Sequence, residues 1–162
     1  MIKNIKELAG ESRVWIFPSS RKLAIAEQEE ISQELSTFLS EWRSHGADML
    51  AAFEFKYDRF VIVYLDETQN EVSGCGVDKL IAIIIKLQEK FEIELLDKMN
   101  VTFKQGEFIQ YQPLLKFRKL VKEGSVSKKT IVFNNLVNTK EEFEETWEIP
   151  AEQSWHNRFF KK

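Results

Sequence analysis

The sequence predicts an α+β fold, on three observations. Short runs of branched and aromatic residues take turns with longer runs whose apolar residues recur at spacings of three and four. The first of these runs come in the order β-α-β-β-α-β, that of the split β-α-β, ferredoxin-like motif. The chain has 162 residues, 43% of them hydrophobic, with 13 Phe and 4 Trp, so it can bury a core without a disulfide or a metal. The expectation is a ferredoxin-like core, an antiparallel sheet with helices on one face. Residues 1–162 are expected to form a single domain. Its C-terminal segment, from about 112 to 162, adds a strand and helices that pack on the core.

Each element has its own signal. Residues 13–17 (RVWIF) are aromatic and branched and read as a strand that Pro18 ends. Over 25–43, Ile31, Leu35, Phe38, Leu39 and Trp42 fall on one stripe of a helix. His45-Gly46 closes it, with Gly46 suited to the left-handed position past a helix end. Residues 49–56 alternate, 57–59 turn, and 60–65 (FVIVYL) are apolar throughout, as in a strand buried on both faces. A polar loop over 66–76 leads to a second helix over 77–91. Residues 101–103 and 108–111 read as a hairpin about Lys104-Gln105-Gly106. Pro113 sits in the first turn of a third helix, with Leu114, Phe117, Leu120 and Val121 on one side and Gly124 at its end. Residues 130–133 (TIVF) read as a strand. Thr139 and Glu142 have capping-box spacing, for a helix carrying Phe143 and Trp147.

Charge and cysteine usage narrow the function classes. Lys plus Arg number 23 and Asp plus Glu 26, a net charge of −3. A mildly acidic balance argues against a nucleic-acid partner, whose phosphates reward a basic one. Lys116, Arg118, Lys119, Lys122, Lys128 and Lys129 crowd one stretch, which reads as a solvated helix face. Cys75 is the single cysteine, so no internal disulfide forms, and this fits a reducing cytoplasm. The apolar run 80–85 falls far short of the roughly 20 residues of a membrane span, and no signal-peptide core opens the sequence. The expectation is a cytoplasmic protein with no membrane span.

The most distinctive segment is Ser73-Gly74-Cys75-Gly76-Val77-Asp78. It follows an apolar strand and the pair Asp66-Glu67, and it opens a helix. Unpaired N–H groups at a helix start attract anions and lower the pKa of a thiol. Ser73, Gly74, Cys75, Gly76 and Asp78, with Asp66 and Glu67 beside them, are therefore the candidate binding residues, and Lys79 could assist. The same segment also reads as plain helix-start chemistry, with a small packed cysteine. Cys75 is the candidate nucleophile, with His156 or His45 as its base. His45 also suits a helix end, where a cation is favoured. One Cys and two distant His offer no zinc spacing, and Asp66, Glu67, Asp78 and Asp97 read more simply as solvated loop carboxylates, so no metal or cofactor is expected. Phe103, Phe108 and Tyr111 could stack bases, but core packing explains them more simply. Trp155-His156 and Phe159-Phe160 in the tail are candidates for self-association as a homodimer.

Several strings together carry a resemblance: Glu11-Ser12-Arg13-Val14-Trp15, Trp42 with His45-Gly46, Asp66-Glu67, Ser73-Gly74-Cys75 with Asp78, Leu96-Asp97-Lys98-Met99, and Ser154-Trp155-His156. Across almost the whole chain the sequence resembles an uncharacterised Bacteroidetes-type bacterial family of about 160 residues. Its members often carry the label "ABC transporter ATPase", and they tend to have Ser where this chain has Gly76. The label implies a phosphate-binding G-x-x-x-x-G-K-[ST] string, an ABC signature and a Walker B strand. None of the three is present, so ATPase activity is not expected. The resemblance implies no catalytic residue.

The sequence reading is thus a binding module for a small anionic ligand or a protein partner, using the turn at 73–78. One alternative is a cysteine-dependent hydrolase or transferase. Another is a structural, self-associating protein in which these residues only pack.

Overall fold

The structure, a computed structural model, describes residues 1–161. The fold is α+β, and the chain divides into two compact units. The first comprises Met1–Leu96 with Asn138–Glu141, and the second comprises Asp97–Val137 with the residues from Glu142 on. Residues 101–103, expected as the last strand of the ferredoxin-like core, belong to the second unit as part of a hairpin over 100–113.

In the first unit, β1 (Arg13–Pro18), β4 (Leu50–Lys56) and β5 (Phe60–Asp66) form a three-stranded antiparallel sheet in the order β1-β5-β4. This matches three of the four strands of the ferredoxin order, 1-3-2 of 4-1-3-2. The registers run Arg13 to Leu65 on one side of β5 and Leu50 to Asp66 on the other. β5 is buried along its whole length, as its unbroken apolar run predicts. Its Val61, Val63 and Leu65 share a core with Ile31, Leu35 and Leu39 of α1 (Ile25–Glu41) and Leu80, Ile84 and Leu87 of α2 (Gly74–Phe91). Each such side chain contributes about 1.5–3 kcal/mol on burial, which makes this layer the foundation of the unit. Arg21 closes the start of α1: its guanidinium donates to both oxygens of Glu27, at 2.8 and 2.7 Å, and Glu27 accepts from the Ala24 N–H.

The fourth ferredoxin strand does not join this sheet. Beside β1 its place is taken by residues 138–140: Val14 N–H donates to Asn138 O, Lys140 N–H donates to Ser12 O, and Arg13 bridges Thr139 antiparallel. Residues 101–103 pair instead within the second unit, as part of β6 (Asn100–Gln105). The second sheet runs β7-β6-β8-β9, with β7 (Phe108–Pro113), β8 (Ile131–Phe133) and β9 (Glu148–Pro150). Phe103, Phe117, Val126 and Val132 form its core, with Trp155 and Phe159 packed against them. Phe117 belongs to α3 (Leu114–Lys122), and the short α4 covers Lys140–Thr146.

Two local expectations are corrected. α1 ends at Glu41, and His45-Gly46 is the turn of a small hairpin, β2 (Arg43–Ser44) with β3 (Ala47–Asp48). Both turn residues have positive φ, 52° and 79°, the conformation that a tight two-residue hairpin needs. The second hairpin turns at Gly106-Glu107, with Gly106 at φ 60°, one residue later than its sequence suggests. Among the described residues no helix is long and apolar enough to cross a membrane.

Candidate functional site

The segment between β5 and α2 is held at both ends. Asp66 closes β5 and is buried. One carboxylate oxygen accepts from the Thr68 N–H at 2.9 Å and the Thr68 hydroxyl at 2.6 Å, and the other accepts from the Ala9 N–H at 3.3 Å. Burial works against its charge, but these three donors outweigh burial and hold the carboxyl below its ordinary pKa. Glu67 accepts from the Val72 N–H at 2.9 Å, and its other oxygen lies 4.0 Å from the Arg13 guanidinium. Asn70 donates to Ser44 O at 2.7 Å and Ala47 O at 3.3 Å, tying the loop to the β2-β3 hairpin. Asp66 and Glu67, candidates for ligand contact, thus shape the loop: their oxygens are engaged by the chain itself.

The loop then delivers Ser73 as the N-cap of α2. Its hydroxyl accepts from the Gly76 N–H at 3.0 Å, and its carbonyl accepts from the Val77 N–H at 3.1 Å. The helix therefore begins three residues earlier than its apolar periodicity suggests, and Gly74, Cys75 and Gly76 make up its first turn. No acidic side chain stands in that turn, so the positive end of an 18-residue helix is uncompensated by its own sequence.

The two glycines have different reasons. A Cβ on Gly76 would lie 2.9 Å from Val72 Cγ2, 3.1 Å from Trp42 Nε1 and 3.3 Å from Ser73 Oγ. Gly76 is buried and lets Trp42 close against the helix. Trp42 is itself buried, packed on Phe38 and Trp15 with ring centroids 4.9 and 6.2 Å away. Gly74 is exposed, has an ordinary φ, and has nothing within 4 Å of an added Cβ. Neither packing nor backbone conformation asks for glycine there. Cys75 is exposed at the second helical position, and Lys79, also exposed, stands one turn further on the same face. Asp78, also exposed, stands three residues after Cys75 and four after Gly74, so its carboxylate shares that face one turn beyond the glycine.

The two histidines part company. His45 is exposed at the tip of the β2-β3 hairpin, which Asn70 ties to the loop leading into α2. His156 is wholly buried in the second unit, stacked on Trp155 with centroids 3.8 Å apart. Its Nδ1 shares a hydrogen bond of 2.8 Å with Ser154 Oγ. Burial and the nearby Arg158 charge push its pKa down to about 3. A ring so enclosed cannot exchange protons with a substrate, so His156 is a packing histidine. Phe103 is likewise core, while Phe108 is exposed at the hairpin turn. Trp155 and Phe159, expected as a self-association patch, pack against Phe117 and the core of their own unit. Among the described residues no group of three or more His, Cys, Asp or Glu is placed to hold a metal.

The fit of Trp42 against Gly76 was not legible in the sequence, where Trp42 reads only as one member of a helical stripe. No family model matches the chain, and no curated protein or solved structure matches it either.

Proposed function

We propose that the protein is a binding module that takes a small anionic ligand, a phosphate or carboxylate group, at the first turn of α2. The observation that carries this reading is the openness of Gly74: an exposed glycine without a folding reason, beside an exposed Cys75, at the uncompensated positive end of a long helix. The N–H groups of Gly74 and Cys75 lie before the first intrahelical hydrogen bonds and are the donors such a group would use. Lys79 supplies a cation one turn away. Ser73, Gly76, Asp66 and Glu67 act underneath, by fixing the turn. The same geometry suits the carboxylate of a protein partner. A reducing, cytoplasmic setting keeps the thiol free. Nothing in the reading calls on ATP hydrolysis.

Inorganic phosphate, then acetate, titrated into labelled protein should move the Gly74 and Cys75 amide resonances along saturating curves. Cys75→Ser should bind as the wild type does. Lys79→Gln should weaken phosphate by about fivefold, the equivalent of about 1 kcal/mol. Amide shifts spread evenly over exposed residues would overturn the reading.

A second reading, a cysteine-dependent hydrolase or transferase, is favoured by one observation, the exposure of Cys75 at a helix start. Its base would have to be His45, since His156 is enclosed. Alkylation of native Cys75 followed against pH separates the two. An apparent pKa well below about 8.5, raised in His45→Gln, would favour the enzyme. Ordinary thiol behaviour in both proteins would leave the binding module. A purely structural role is less well supported, because it asks for a packed Cys75.

A further inference from the structure

The basic stretch over 116–129 belongs to the second unit, whereas the turn of α2 belongs to the first. Between residues 116 and 129 stand six cations and a single carboxylate, Glu123. Lys119 pairs with Glu123 at 3.9 Å. Lys116, Arg118, Lys122, Lys128 and Lys129 are exposed, and among the described residues no ion pair holds them. α3 turns Phe117 inward, and its outward stripe reads Leu115, Arg118, Lys119, Lys122 at helical spacing. Leu115 is 78% exposed at the head of that stripe. Met99, 65% exposed, lies beside the same turn, because its carbonyl accepts from the Leu114 N–H at 3.0 Å.

Two large aliphatic side chains held in water, next to unneutralised cations, are what an anionic bilayer surface accommodates. The cations meet lipid phosphates and the aliphatic groups enter the acyl boundary. A nucleic acid would also meet the cations. Arg and Lys also read base edges, yet two large aliphatic side chains exposed beside them gain nothing from a phosphate backbone, and α3 carries no exposed aromatic ring to stack on a base. We infer that α3, with Leu115 and Met99 at its leading end, is a peripheral docking surface for membranes rich in anionic lipid.

The test uses the full chain and vesicles of phosphatidylglycerol with phosphatidylcholine, against vesicles of phosphatidylcholine alone. The protein is expected to sediment with the anionic vesicles at low salt, to be released at about 0.5 M salt, and to ignore the neutral ones. Arg118→Glu with Lys122→Glu should weaken binding at least tenfold, and Leu115→Ser by about threefold. These sites are exposed, so the variants should keep the wild-type circular dichroism spectrum. No sedimentation with anionic vesicles, or full binding by Arg118→Glu with Lys122→Glu, would overturn the inference. Tighter binding of a single-stranded oligonucleotide than of vesicles, unaffected by Leu115→Ser, would also overturn it, in favour of a nucleic-acid partner.

Discussion

Gly76→Val is expected to cost about 3 kcal/mol, near the upper end for overpacking a closed site. The first added atom already stands 2.9 Å from Val72 and 3.1 Å from the Trp42 indole. Neither neighbour yields readily. Val72 has a stiff, branched side chain, and Trp42 is buried between Phe38 and Trp15. The hydroxyl of Ser73, 3.3 Å away, would be displaced too, endangering the cap. Gly74→Ala should do the reverse: with an ordinary φ and open space, it should be neutral or stabilise by up to about 1 kcal/mol. Its new methyl group would nonetheless stand where a ligand approaches, so phosphate affinity should fall. Urea denaturation at unchanged m-value reads the first effect, and the amide titration reads the second. A Gly76→Val protein as stable as the wild type would mean that Trp42 swings aside freely, and the turn would then lack its rigid base.

The contrast between these two glycines also shows what a sequence reveals. Gly74-Cys75-Gly76 stands out on composition, and the structure does place it at a helix start. The separate reasons for the two glycines depend on Trp42, more than thirty residues earlier, and no local pattern announces that contact. The carboxylates mislead in a similar way. Asp66 and Glu67 read as candidate ligand groups because they flank the segment, yet the donors they serve, Ala9 and Val72, become their partners only on folding. The strand-helix alternation of the first unit is legible because β5 and the stripes of α1 and α2 carry strong periodic signals. Strand partnership is not. Residues 101–103 are a strand as expected, but no feature of three residues says which sheet they will join. Nor does 148–150 announce an edge strand. His45-Gly46 shows a third kind of ambiguity, since a residue pair that tolerates positive φ serves a helix end and a hairpin turn equally well.

The second large effect is an acid lability of the second unit. His156 is enclosed and its pKa is pushed down to about 3, first by burial and then by Arg158. In the unfolded chain it titrates at its ordinary 6.5. Between those values the unfolded state holds a proton that the folded state does not. Stability is therefore fully present above about pH 6.5 and falls as the pH drops, by about 1.4 kcal/mol for each unit. From pH 7 to pH 5 the loss from this one group should be about 2 kcal/mol. Hydrogen exchange of the amides at 151–160 reports the second unit by itself and should show that loss in protection. His156→Phe keeps an aromatic ring against Phe117 and Trp155 but removes the titration and the bond to Ser154. It should start from a changed stability at pH 7 and then lose about 2 kcal/mol less than the wild type on going to pH 5. Equal losses in the two proteins would show that His156 takes up its proton in the folded state at ordinary pH. In that event the ring would reach water, and its exclusion as a base would have to be withdrawn.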